Sequence, residues 1–147
     1  MLAPQMHLRA ATLDDVEYVV ALKERVLRAD LERHFPWNPD RSRARVMERF
    51  SPEHSHMIVV DGAVAGTITL RPDGTDCWLE MFYLEGTQQG RGVGSAVLRR
   101  VLAAEPGRVP NRLQVLVGSP AQRLYERHGF VVEHDDGIDI WMRRQPA

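Results

Sequence analysis

A single cysteine, Cys77, carries all the thiol chemistry in these 147 residues. No internal disulfide can staple the fold, and no pair of cysteines has metal-ligand spacing. Histidines are scattered: His54, His56, His128 and His134 are acid–base candidates by residue type, but none lies in a motif and their spacing builds no metal site. No apolar run approaches the ~20 residues needed to cross a bilayer. The start of the chain also lacks the basic segment and apolar core of a secretion signal. A soluble cytoplasmic protein is the expectation. Charge of one sign is missing too, with 19 Lys and Arg against 20 Asp and Glu and a formal net charge of -1. That balance excludes a general electrostatic pull toward nucleic acid or anionic membrane, and neither is an expected partner. Arg41, Arg43, Arg45 and Arg49 alternate with Ser42, Ala44, Val46, Met47 and Phe50, which reads as the wet side of a helix. No repeat, low-complexity tract or linker divides the chain, whose length suits one domain over 1–147.

The hydrophobic period changes along the chain. Residues 6–10 read as a short strand, and Thr12 followed by Asp14 and Asp15 reads as an N-cap with acids in the first helical turn. Val16, Val19, Val20, Lys23 and Val26 continue at helical spacing toward Ala29. Prolines in the stretch 34–39 break the pattern, and a second helix runs from Asp40 to about Phe50. Residues 57–60 and 63–70 then read as strands joined at Asp61-Gly62, a pair suited to a tight hairpin. Pro72-Asp73-Gly74 turns the chain into a strand over 77–84. A glycine-rich loop, a helix over 95–104, a strand over 113–117, a helix over 120–128 and strands over 131–133 and 138–142 follow. The short connections imply antiparallel pairing, giving an α/β chain with a mixed, mostly antiparallel central sheet flanked by helices.

Gln89-Gly90-Arg91-Gly92-Val93-Gly94 follows an apolar strand and opens a helix. Glycines allow a tight turn and close approach of a ligand, while the helix's unsatisfied N–H groups and dipole favour negative charge. The implied ligand is a phosphate or pyrophosphate. The spacing is not G-x-G-x-x-G and no Gly-Lys-Ser/Thr ends it, so neither common nucleotide fingerprint fits. Glycine-rich turns also join ordinary elements.

The Q-x-x-G-x-G spacing of Gln89, Gly92 and Gly94 resembles the acetyl-CoA pyrophosphate loop of the GNAT superfamily of N-acetyltransferases. A second stretch, 119–130, looks like that family's late helix and turn, where Ala, LYE and GF are habitual. The likeness extends more loosely from Leu8 to Met142. It implies transfer of the acetyl group of acetyl-CoA to a primary amine, of a small molecule or a peptide, by direct attack in a ternary complex. It also implies a sheet splayed between 79–84 and 113–117, with main-chain groups of Phe82 and Leu84 on the pantetheine arm. Gln89, Gly90, Arg91, Gly92, Val93 and Gly94 should wrap the pyrophosphate, chiefly through the backbone, with Ser95 starting the helix. Many relatives are homodimers.

Tyr125, in the LYE segment, matches the family tyrosine that faces the CoA sulfur, where a phenol can protonate or hydrogen-bond a departing thiolate. Packing of the helix on the sheet is the alternative use of the same ring. Glu80 is the candidate base, direct or through water, or else a charge that recognises a cationic substrate. Strand alternation groups it with Phe82 and Leu84, opposite Leu79, Met81 and Tyr83. Ser119 stands where many relatives carry a cofactor-contacting Asn, and it equally suits a helix N-cap before Pro120. Phe35 and Trp37, with His34, Pro36 and Arg45, fall where relatives build one wall of the acceptor groove; Asp135 and Asp136 add acids that favour an amine. A GNAT-like protein that binds acyl-CoA without catalysis is the alternative.

Overall fold

The computed structural model describes residues 4–104 and 109–146. The chain runs β1 (Met6–Ala10), α1 (Val16–Leu31), α2 (Pro39–Arg49), β2 (Ser55–Val60), β3 (Ala63–Asp73), β4 (Asp76–Leu84), α3 (Val93–Ala104), β5 (Asn111–Leu116), α4 (Ala121–Arg127), β6 (Val131–Asp135) and β7 (Asp139–Arg144). The strands form one seven-stranded sheet in the order β1-β2-β3-β4-β5-β7-β6. Only β4 and β5 run parallel; every other neighbour is antiparallel. The mixed, mostly antiparallel sheet with flanking helices is the architecture expected.

Both faces of the sheet are covered, which is why β2 reads as a nearly continuous apolar run. On one face Ile58, Ile68, Leu79 and Leu113 pack with Val97 and Leu98 of α3 and Phe130 beyond α4. On the other, Met57 packs with Val16 and Val19 of α1, Val46 of α2 and Phe50. α1 enters from a 3-10 turn, Leu13–Asp15, fixed by a hydrogen bond from the Thr12 N–H to Asp15 Oδ2 at 2.9 Å. Arg9 grips the same carboxylate at 3.0 and 3.1 Å. At α2, the Asn38 side chain accepts from the Arg41 N–H at 3.0 Å and Pro39 takes the first helical position.

Several boundaries differ from the expectation, some of them for evident local reasons. β3 runs on through Pro72, paired with Cys77, so the hairpin turns at Gly74, φ 60°. Proline is tolerated there because it needs no ladder donor at a strand end. α3 begins at Val93, two residues before Ser95. β5 and β7 extend into the polar residues Asn111, Arg112, Arg143 and Arg144, which pair with one another and so need no apolar period.

The largest departure lies in β4. Thr67 pairs with Tyr83 but Thr69 pairs with Glu80, so Met81 and Phe82 together oppose Ile68, and Met81 adopts φ 46°. This β-bulge breaks strict alternation. Phe82 and Leu84 pack with Leu79 on the α3–α4 face, whereas Met81 and Tyr83 pack toward α1 and α2. Glu80 reaches Arg49 of α2. The expected grouping of Glu80 with Phe82 and Leu84 is therefore corrected: they lie on opposite faces.

Candidate functional site

β4 and β5 pair only at Cys77–Asn111 and Trp78–Arg112. Beyond Trp78 the strands part, β4 held by β3 and β5 by β7. The parallel pair thus opens into a wedge whose two edges carry main-chain groups not used between the strands. The bulge at Met81 lies on the β4 arm.

The glycine loop closes the far end of that arm. A 3-10 turn, Gly86–Gln88, leads into it, and the Gln89 carboxamide donates to the Leu84 carbonyl at 2.9 Å, tying the loop to the end of β4. Gly90 and Gly92 hold φ 74° and 82°, which L side chains rarely adopt, and a Cβ at either would meet open space. Gly94 serves differently, since a Cβ there would lie 3.3 Å from Leu124 and 3.8 Å from Phe82. Its hydrogen lets α3 seat against α4 and β4. The Ala96 N–H donates to the Gly92 carbonyl at 3.1 Å. The N–H groups of Val93, Gly94 and Ser95 therefore belong to the first turn, without intrahelical acceptors and at the positive end of the helix dipole. Arg91 folds back to donate to Gln88 Oε1 at 2.8 Å, away from a dedicated role. Ser95 Oγ lies 2.9 Å from His128 Nε2 and accepts from Arg99 at 3.1 Å, so its hydroxyl ties α3 to the end of α4. Burial, reinforced by Arg99, Arg127 and Arg144, lowers the His128 pKa and favours the neutral ring.

α4 supplies the aromatic beneath the wedge. Its end is a Schellman turn: the Phe130 N–H donates to the Tyr125 carbonyl at 3.1 Å, the Gly129 N–H to Glu126 at 3.1 Å, and Gly129 holds φ 93°. That turn sets Phe130 edge-on to Tyr125, ring centroids 5.8 Å apart, and Phe82 approaches the same tyrosine at 6.5 Å. Tyr125 is 7% exposed. Burial, with a smaller contribution from Tyr83, pushes its phenol pKa well above the ordinary value, so the hydroxyl remains a donor at any physiological pH. Ser119 Oγ accepts from the Ala121 N–H at 3.2 Å just ahead of α4, whose N-cap is Pro120 rather than Ser119.

Glu80 occupies the other face. Its Oε1 accepts from Arg49 at 3.0 Å and Arg71 at 2.8 Å, and its Oε2 accepts from Arg71 at 3.0 Å. A carboxylate whose oxygens already accept from two guanidiniums has little capacity left for a substrate ammonium. Phe35, half exposed, and Trp37, whose indole N–H is buried without a partner, lie between α1 and α2. Arg28 sits over the Trp37 ring at 6.0 Å. The wedge, the loop and Tyr125 come together around Phe82; Phe35 and Trp37 belong to the separate α1–α2 side. Sequence reasoning missed Arg49 and Arg71 as partners of Glu80. It also missed Glu85, which accepts from Tyr18 at 2.8 Å and Arg25 at 2.8 and 3.2 Å and ties α1 to the end of β4. Only the strand register could have signalled Arg71, two residues beyond Thr69, the partner of Glu80.

No curated protein matches the chain. Among solved structures it is similar to a PaiA N-acetyltransferase from Thermoplasma acidophilum in complex with coenzyme A, at 18% identity and TM-score 0.74, covering 96% of this chain and 99% of that one. PH1933 from Pyrococcus horikoshii OT3 is similar at 16% identity and TM-score 0.79, covering 97% and 99%. The ribosomal-protein-S18-alanine N-acetyltransferase from Escherichia coli is similar at 16% identity and TM-score 0.74, covering 97% and 95%. These likenesses establish the fold. The acetyltransferase (GNAT) family profile matches residues 23–130, from α1 through the turn that ends α4, and the chain belongs to that family.

Proposed function

We propose that the protein is an N-acetyltransferase that moves the acetyl group of acetyl-CoA to a primary amine, of a small molecule or a peptide, by direct attack with both substrates bound. The observation that carries this reading is the β4–β5 wedge, with the glycine-lined start of α3 at the end of one arm and Tyr125 packed beneath Phe82. The residues present suit coenzyme A. Open space at Gly90 and Gly92 and the free first-turn N–H groups of Val93, Gly94 and Ser95 fit a pyrophosphate. The parted edges offer main-chain groups around Phe82 and Leu84 to an amide-bearing arm, although the Leu84 carbonyl also receives Gln89. Gln89 thus shapes the loop, and Arg91 contributes charge from its rim.

A thioester donor brings an activated acyl group, so the chain need supply no nucleophile. Its residues orient and exchange hydrogen bonds. Tyr125, kept protonated by burial, suits hydrogen-bond donation to the sulfur more than full proton transfer. Ser119 orders the start of α4 behind it. Glu80, its oxygens already taken up by Arg49 and Arg71, suits positioning of the acceptor side more than proton abstraction, and the amine reacts as its free base. Phe35 and Trp37 border the acceptor. Engagement of Glu80 also favours one second reading, acyl-CoA binding without transfer.

Calorimetry with acetyl-CoA and desulfo-CoA tests the donor site, comparing the parent with Gly92→Trp. Binding by the parent that the substitution weakens at least tenfold, ~1.4 kcal/mol, is expected; parent protein that binds neither ligand would overturn the reading. Product detection by mass across an amine panel separates transfer from binding alone.

A further inference from the structure

Lys23 is the only lysine in the chain; every other basic side chain among the 19 is arginine. It is also buried, at 7% exposure, on the face of α1 that meets α2. Its one hydrogen bond goes to the Ser42 carbonyl at 3.3 Å, and no carboxylate pairs with it among the described residues. Ser42 is itself 8% exposed, and its hydroxyl is buried with no partner. Arg45, three residues on and therefore on the same side of α2, makes no ion pair among the described residues. Of the other α2 arginines, Arg43 pairs with Glu17 and Arg49 with Glu80, while Arg41, like Arg45, makes no ion pair among the described residues. Burial and the field of Arg45 push the Lys23 pKa down to about 8. A buried ammonium ordinarily demands an anion, and here its one acceptor is the carbonyl of Ser42, whose own hydroxyl is orphaned, within the field of a second cation.

We propose that Lys23, Ser42 and Arg45 form an oxyanion subsite that takes the carboxylate or phosphate group of the acceptor. The acceptor half of this inference rests on the acetyltransferase reading. Arg45 lies one turn from Arg49, about 6 Å along the α2 axis, and Arg49 holds Glu80 just beyond the last β4–β5 pair. The subsite thus lies on the Glu80 side of the sheet, the side to which the proposed function assigns the acceptor. The acceptor class is an amine that also bears an acidic group, and a polycation is disfavoured because the oxygens of Glu80 already accept from two guanidiniums.

The lone lysine makes the test direct, because lysine-labelled protein gives one side-chain signal. Its pH titration is followed by NMR in N-acetylglycine, in the neutral N-acetylglycinamide, in inorganic phosphate and in sodium chloride at matched ionic strength. Saturable binding of an oxyanion should raise the Lys23 pKa by about one unit toward its ordinary value near 10.4. The amide and chloride should not, and the carboxylate and phosphate arms identify which group the subsite prefers. Arg45→Gln should weaken that binding about tenfold, as loss of a charge-assisted contact does. With acetyl-CoA present, amino acids should exceed their amides in kcat/KM, and Arg45→Gln should narrow that ratio. Identical Lys23 titrations in all four solutions would overturn the subsite. An anion-dependent rise accompanied by preference for amides or polyamines would overturn its assignment to the acceptor. Failure of acetyl-CoA to bind strikes the transferase reading alone, since the titration needs no donor.

Discussion

Tyr125 combines a phenol that burial keeps protonated with a ring wedged between Phe82 and Phe130. Phenylalanine at this position preserves the ring contacts and removes only the donor. Tyr125→Phe should lower kcat roughly 10- to 100-fold, the low end of what a positioned acid or donor contributes, with acetyl-CoA affinity nearly unchanged. Steady-state kinetics beside calorimetry check this, and an unchanged kcat would assign the tyrosine to packing. The sequence made Tyr125 conspicuous because its neighbours lie within one short helix and turn. Glu80 was equally visible as a residue, but its electrostatics were not. Arg71 is 9 residues away and Arg49 31, and they converge only through strand register and the seating of α2. The bulge at Met81 was hidden for a related reason, since nothing in Leu79-Glu80-Met81-Phe82 departs from a plausible alternating strand.

Helix ends are where the elements were most legible. The start of α1 is tied by Asp15, which accepts from the Thr12 N–H and from Arg9. The Arg9 hydrogen bond, followed by smaller contributions that include the Thr12 N–H, lowers the Asp15 pKa below the ordinary carboxylate value. A lowered folded-state pKa gives stability above the unfolded value that is lost as pH falls through the folded one. Asp15→Asn should therefore cost about 1 kcal/mol near neutrality, a typical cap contribution. That difference should shrink once pH falls below about 4, as urea melts of both proteins at several pH values would reveal. The turn at Gly129 entered the reading only through the family likeness of 119–130; the structure shows it as a Schellman turn, a left-handed glycine followed by Phe130. The start of α3 was placed two residues late, since Val93 and Gly94 look like loop until Gly92 is seen to accept the first helical hydrogen bond.

At the level of the whole molecule, one parallel pair in an otherwise antiparallel sheet creates the opening that the proposed function uses. Periodicity located nearly every strand, yet it carried no information about where β4 and β5 stop touching; the splay came into the reading only through family likeness. Because the parted edges lack each other as partners, their amides should exchange quickly with solvent. Hydrogen exchange across 79–84 and 113–116 should be slower with acetyl-CoA at saturation, while β2 and β3, paired on both sides, stay protected throughout. Equal exchange with and without the ligand would argue that it binds elsewhere. The sequestered Lys23 has a further consequence for the molecule as a reagent. With its sole lysine packed beneath α2 and its other basic side chains guanidiniums that stay protonated, the folded protein displays no side-chain primary amine to solvent. If the proposed reaction is right, its side chains offer little to stray acylation by the activated thioester it would use.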